Sequence, residues 1–307
     1  MPKAKQATES TKQATTKTVD PLLKQLLEAG AHFGQRVARW NPKMKPYIYG
    51  ARGGVHIIDL TKTHDQLLTA EKFVEATTKM GGTVLFVGTK RQARPIVEKA
   101  AKDTGMPYVI NRWLGGMLTN LETIQTRVDR LKKLRNDSAE GKLVGTKKEK
   151  ANLEREMEKL ANIFDGISEM QTLPSVVFVT DILKDDIAIS EANKLGIATV
   201  AICDTNTNPQ LITYPIAAND DAVRTISLIT TRIADATKRG SELYRAKTDE
   251  AAAQALAKTE AEAIVVAEAK AEVEAKADAE AKAKATAATE VTAATEVTAN
   301  TKPKAKE

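Results

Sequence analysis

Short apolar runs alternate along the chain with stretches in which apolar residues recur every three or four positions. Asp20-Pro21 opens the pattern as an N-cap followed by a first-turn proline, and "LLKQLLEA" then supplies an apolar stripe that Gly30 stops. From Gly50 a strand-and-helix rhythm sets in. "VHIID" (55–59) reads as a short strand, and 63–79 as a helix carrying Leu67, Leu68, Phe73 and Val74 and ending at Gly81-Gly82. "TVLFV" (83–87) is a buried strand, 90–102 a helix and "PYVI" (107–110) a strand. Later come "SVVFVTD" (175–181), a helix over 185–195, "GIATVAICD" (196–204), a short "LITYP" (211–215) and a helix from Asn219 to Lys238. Continuous apolar strands alternating with helices argue for a parallel sheet covered on both faces.

Residues 117–165 break that rhythm. Leu121, Ile124, Val128 and Leu131 step by three and four, as do Leu153, Met157, Leu160 and Phe164, with a polar stretch of two glycines at 136–149 between them. The pattern predicts two amphipathic helices joined as a coiled-coil-like hairpin, inserted into the sheet domain and protruding from it. The domain therefore runs over 20–116 and 166–245, with the hairpin at 117–165. Residues 1–19 are Lys, Thr and Gln with almost nothing to bury, and read as a disordered basic tail. The last stretch, 246–307, is a low-complexity Ala/Glu/Lys/Thr tail in which "AATEVT" occurs in tandem.

Charge changes the picture. The formal net charge is +6 over 307 residues. The 246–307 tail carries nine Lys against twelve acids, so the remainder is at +9. A body that basic favours a polyanionic partner. One cysteine, Cys203, excludes a disulfide framework and a thiolate zinc cluster and fits a reducing cytosol. Three histidines leave little material for a triad or metal site, and no apolar run approaches the roughly 20 residues of a membrane span.

Three acid-free stretches hold the candidate chemistry. Residues 29–58 contain no Asp or Glu but five bases, Arg36, Arg39, Lys43, Lys45 and Arg52, together with Phe33, Trp40, Tyr47 and Tyr49. Cations pair with phosphates while aromatic planes stack on exposed bases. Two prolines and several glycines mark this stretch as irregular, with Trp40 as its stacking candidate. In "FVGTKRQARP" (86–95), Gly88-Thr89 ends a strand at a helix N-terminus, where backbone N–H groups favour an anion, and Lys90, Arg91 and Arg94 add full charges. A nucleotide enzyme is the competing reading, but one glycine satisfies neither the dinucleotide fingerprint nor the P-loop pattern. "NRWLGGMLTN" (111–120) adds Arg112 and Asn120 as polar contacts, with Trp113 read as a core anchor. Asp59, Asp181 and Asp204 each follow a strand. Helix capping or turn closure explains them better than a metal site, because no nucleophile with its base accompanies them. Cys203 reads as a small core residue.

"GAHFGQRVARWNPKMKPYIYGARGGVHIIDLTKT", "FVGTKRQA", "RWLGGMLTN", "EANKLGIATVAICDTNTNP" and "NDDAVRTI" occur in that order. Together they resemble the bacterial small-subunit ribosomal protein S-two family over Asp20 to Arg245. The resemblance implies a Rossmann-like, three-layer α/β parallel-sheet domain with an inserted coiled-coil hairpin. It implies a cytoplasmic, ribosome-bound structural protein that binds small-subunit rRNA between head and body on the solvent side. It also implies neighbouring small-subunit proteins as partners and a part in seating ribosomal protein S-one for mRNA capture. Catalysis, a cofactor, a small-molecule substrate and a membrane are not implied. Two departures stand out: Gln35 replaces the second histidine of the family's His-Phe-Gly-His, and "AANDD" (217–221) replaces "PGNDD".

Overall fold

The computed structural model describes residues 20–142 and 146–250. The reading of 1–19 as disordered, and that of 251–307 as part of a low-complexity tail, lie outside the described residues. The described residues of 20–244 form one compact unit, and residues 245–250 are helical.

Five parallel strands make the central sheet: β4 (Val84–Val87), β5 (Tyr108–Val109), β6 (Val176–Val179), β7 (Ala198–Cys203) and β8 (Tyr214–Ala217), in the order β5-β4-β6-β7-β8. The middle strands are buried on both faces, and alternate residues serve different cores. Val84, Phe86, Val176, Phe178, Val200 and Ile202 face one core, with α1 (Pro21–Ala29), α2 (Leu60–Thr78), α3 (Arg94–Thr104) and the last helix, α7 (223–244). Leu85, Val87, Val177, Val179, Ala201 and Cys203 face the other, with α6 (Asp186–Lys194) and Trp113. Side chains that alternate across the pleat give two apolar faces only when every position is apolar, which is why these strands read as unbroken runs.

Local chemistry sets the element ends. Asp20 and Asp59 accept hydrogen bonds from the backbone N–H of Leu22 and Thr61, capping α1 and α2, and Gly30 closes α1 in the left-handed conformation at φ 79°. The third helix begins at Arg94 rather than at residue 90, because 90–93 form a turn and Pro95 sets the first helical turn. The "LITYP" strand shifts toward the C-terminus: Pro209–Leu211 is a 3-10 turn and pairing begins at Tyr214.

The stretch 29–58 is not irregular. It folds as an antiparallel ribbon of β1 (Phe33–Arg36), β3 (Val55–Ile58) and β2 (Ile48–Arg52), with β3 in the middle. The 55–59 strand thus belongs to this ribbon and not to the parallel sheet. Gly53 and Gly54, at φ 60° and 76°, make the two-residue turn that joins β2 to β3. Both central residues of such a hairpin turn need positive φ, so a loop-like pair of glycines signals a tight hairpin here.

Helices α4 (Leu121–Ala139) and α5 (Lys147–Phe164) pack on each other, with Thr146 and Glu149 forming a reciprocal capping box at the start of α5. Ile124, Val128, Leu131 and Phe164 are buried in the second core. These residues line the side of α4 and the end of α5 that face into that core, and α4 has its main packing partner in α5.

Candidate nucleic-acid interface

The ribbon is fastened to the sheet domain at the turn after β7. Gln35 donates its backbone N–H to Thr205 Oγ1 at 2.8 Å, and Asn41 donates to the Thr205 carbonyl at 2.8 Å. Between them, a Cβ on Gly34 would lie 2.5 Å from Thr205 Cγ2, so the close approach requires glycine. Met44, in a 3-10 turn over Pro42–Tyr47, plugs the second core with no exposure.

That docking leaves the other surface of the ribbon free. Arg36, Arg39, Lys43, Lys45 and Arg52 are all exposed, and none pairs with a carboxylate among the described residues. Tyr49, at a register shift between Ile48 and Gly50, is 82% exposed, and Phe33 is 50% exposed. Trp40 is 36% exposed and leans on the His56 ring, with centroids 5.4 Å apart. Unpaired cations interleaved with exposed rings form a surface that attracts phosphate and offers stacking planes.

The "FVGTKRQARP" turn behaves differently. Thr89 donates its backbone N–H and hydroxyl to the buried carboxylate of Asp185, at 3.3 Å and 2.7 Å. The anion held by this strand end is the protein's own side chain. Gly88 serves packing, since a Cβ there would meet Val97 Cγ2 at 2.6 Å. Lys90 does not reach outward as a phosphate clamp. Its ammonium is 3.3 Å from Asp181, 3.0 Å from Asp220 and 2.6 Å from Asp221. Burial would lower its pKa, but the hydrogen bond it donates to Asp221 and the charges of Asp220 and Asp181 raise it well above the usual lysine value. Arg94 is also turned inward, donating Nε to the Thr89 carbonyl at 3.1 Å. Of this trio Arg91 alone is exposed.

Four carboxylates crowd this end of the sheet. Asp181 closes the turn after β6 by accepting from the N–H groups of Leu183 and Lys184. Gln35 Nε2 donates to Asp204 at 3.1 Å and Asp221 at 2.8 Å. Asp204, Asp220 and Asp221 bring ligand oxygens within 4.8 Å of one another, a spacing a cation can bridge. Here the Lys90 ammonium and the Gln35 amide already engage those oxygens. One ammonium cannot serve four carboxylates, and Asp220 is pushed up to about 7 by burial and by the charges of Asp181 and Asp204. Open parallel sheets bind ligands at the carboxyl ends of their strands. In this chain that crevice is filled by an internal ion cluster. A cavity of about 620 Å³ sits at the opposite, amino ends of β4 and β5, lined by Thr83, Lys102, Met106, Tyr108 and Met170.

"NRWLGGMLTN" winds around one carboxylate. Glu191, on α6, accepts from Trp113 Nε1 at 3.1 Å, from the N–H groups of Gly116, Leu118 and Thr119 at 2.7, 2.9 and 3.0 Å, and from the Thr119 hydroxyl at 3.2 Å. Burial alone would raise its pKa, but the three N–H groups and the indole hold it below the usual carboxylate range. Trp113 is buried, as its core reading requires, while Arg112 and Asn120 are exposed on the same loop. No spacing rule points from "SEANK" to a loop about 70 residues earlier, so sequence reasoning missed Glu191.

Comparison with known proteins agrees with this picture. The family described as ribosomal protein S2 matches residues 26–240. Small ribosomal subunit protein uS2 of Coprothermobacter proteolyticus is 53% identical over 221 residues, covering 72% of this chain and 82% of that one. The protein of the same name from Dictyoglomus thermophilum is 51% identical over 229 residues, 74% and 93% of the two chains. That of Bdellovibrio bacteriovorus is 47% identical over 226 residues, 73% and 72% of the two chains. An α/β body with a plugged ligand crevice and a free cationic ribbon is thus what a structural protein needs, and the chain belongs to the ribosomal protein S2 family, non-enzymatic constituents of the small ribosomal subunit.

Proposed function

We propose that the chain binds small-subunit rRNA through the exposed surface of the 33–58 ribbon, on the solvent side of the subunit between head and body. The observation that carries this is the set of five ribbon cations with no carboxylate partner among the described residues. Arg36, Arg39, Lys43, Lys45 and Arg52 neutralise phosphates, and Trp40 supplies a ring plane. Arg91, Arg112 and Asn120 extend the contact, while Lys90 and Arg94 act inside the protein. The ribbon reads RNA by shape and backbone, with little base recognition along most of its length. In this reading α4 and α5 form an inserted hairpin whose outer half, beyond the buried Ile124, Val128 and Leu131, contacts RNA or protein. The assembled protein helps to seat ribosomal protein S-one for mRNA capture on a cytoplasmic ribosome.

Five phosphate contacts predict that log affinity falls with log salt at a slope of about −4. Neutralising Arg36, Arg39 and Lys43 together to Gln is expected to lower that slope by about 2–3 without changing thermal unfolding. Salt-independent binding, or none at low salt, refutes the reading. Seating of ribosomal protein S-one is checked by its recovery on small subunits reconstituted with or without this chain.

A further inference from the structure

The tip of the ribbon carries two arginines in one row. Arg36 on β1 and Arg52 on β2 both stand directly opposite Val55 on β3. Directly opposed residues of antiparallel strands share a face. Side chains alternate along β3, and Ile58 is buried in the second core, so Val55 and the two arginines lie on the face turned away from it. Two strand spacings put the arginine backbones about 10 Å apart, a gap that two arginine side chains can close. The backbone beneath them is fixed. Arg52 immediately precedes the Gly53-Gly54 turn, and Val37, next to Arg36, donates its N–H to the Gly54 carbonyl at 3.0 Å. Arg36, Arg52 and both glycines are exposed, Val55 is half-buried, and a Cβ added to either glycine would meet nothing within 4 Å. Like charges in one row repel, and neither guanidinium has a carboxylate partner among the described residues. An anion placed between the two removes that repulsion.

We propose that Arg36 and Arg52 close from both sides on a single rRNA phosphate seated over Val55. A phosphodiester offers two non-bridging oxygens, one for the N–H groups of each guanidinium, and charge-assisted bonds of this kind are the strong ones. The short Val55 side chain floors the seat, and the bare glycine turn leaves room for the nucleotides on either side. The inference rests on the rRNA-binding reading above and resolves two of its five cations into one phosphate site.

The test uses the full chain and small-subunit rRNA, with Arg36→Gln, Arg52→Gln and the double variant. Two separate phosphate contacts would each contribute about one to the salt slope, so the double variant would lower it by about two. A shared phosphate predicts a fall of about one in the double variant. Either single variant changes the slope little, because the remaining arginine still holds the phosphate. Each single variant is expected to bind about tenfold more weakly, and the double variant to fall well short of the roughly hundredfold loss of independent sites. Ethylation of individual rRNA phosphates locates the contact: interference should weaken at one and the same position in both single variants. Because the two cations repel in the free chain, the thermal midpoint of each single variant should equal or slightly exceed the parent's. A slope lowered by about two, or interference altered at two different phosphates, overturns the proposal. So does unchanged affinity, and so does a loss of affinity that tracks a loss of thermal stability, which assigns the arginines a packing role. A parent chain that fails to bind rRNA at all overturns the underlying reading as well, so the two failures are distinguishable.

Discussion

Glu191 shows what one side chain organises. It gathers five hydrogen bonds from a loop that has no regular structure of its own. Glu191→Ala leaves the indole and three backbone N–H groups without partners and should cost about 3 kcal/mol, with Glu191→Gln costing less because one acceptor oxygen survives. Urea unfolding measures both, and equal costs would argue against the hydrogen-bond account. Asp185 is the titration counterpart. Burial pushes its carboxyl up to about 6, against the stabilising hydrogen bonds from Thr89. A carboxyl that holds its proton more tightly in the folded than in the unfolded chain favours folding below its folded value. Its contribution therefore falls as pH rises from about 4 through about 6. Asp185→Asn removes that component, so the thermal midpoint of the variant should decline less than the parent's across this window. Asp59 could be read as a cap from sequence because its partner lies two residues away, whereas Glu191 and Asp185 act across 70 or more residues.

At the scale of elements, the ribbon is the unit that matters for binding, and its position depends on the contact of Gly34 with Thr205. Gly34→Ala forces Cβ against Thr205 Cγ2 at 2.5 Å and Oγ1 at 2.9 Å. The ribbon should shift on the sheet, weakening rRNA affinity while the parallel-sheet core stays folded. Adding Thr205→Ser removes the methyl group yet keeps the hydroxyl that receives the Gln35 N–H, so it should restore part of the affinity. No recovery in the double variant would exclude the steric explanation. On the opposite face, α7 is clamped to α2 by a bidentate pair: Arg232 Nε and Nη2 reach Glu71 at 2.6 and 3.1 Å. The helices themselves were legible as periodic apolar stripes. The ribbon was not, because four glycines, two prolines and a register shift at Tyr49 hide its alternation.

For the whole molecule, both cores are built, among the described residues, from the span between Leu22 and Ala236. Removing 251–307 should therefore leave the thermal midpoint unchanged to within about a degree, as differential scanning calorimetry would show; a large drop would assign that segment a packing role. The net charge of the body, +9 without the tail, drives approach to a polyanion. The map of where that charge stands free is a property of the fold. Lys90 and Arg94 contribute to the total, yet one is neutralised by three aspartates and the other binds a backbone carbonyl.

Sequence by itself determined the strand-and-helix alternation, the two-faced parallel sheet, the acid-free basic segments and, through five motifs in order, the family. These depend on local periodicity, composition and identity, which the chain carries in one dimension. Only the tertiary structure decided which charges are available. It drew aspartates from behind β6 and β8 onto Lys90, gave the Thr89 turn the Asp185 carboxylate in place of a phosphate, and left the ribbon cations unmatched. Whether a cation is free depends on carboxylates that are distant in sequence and near in space.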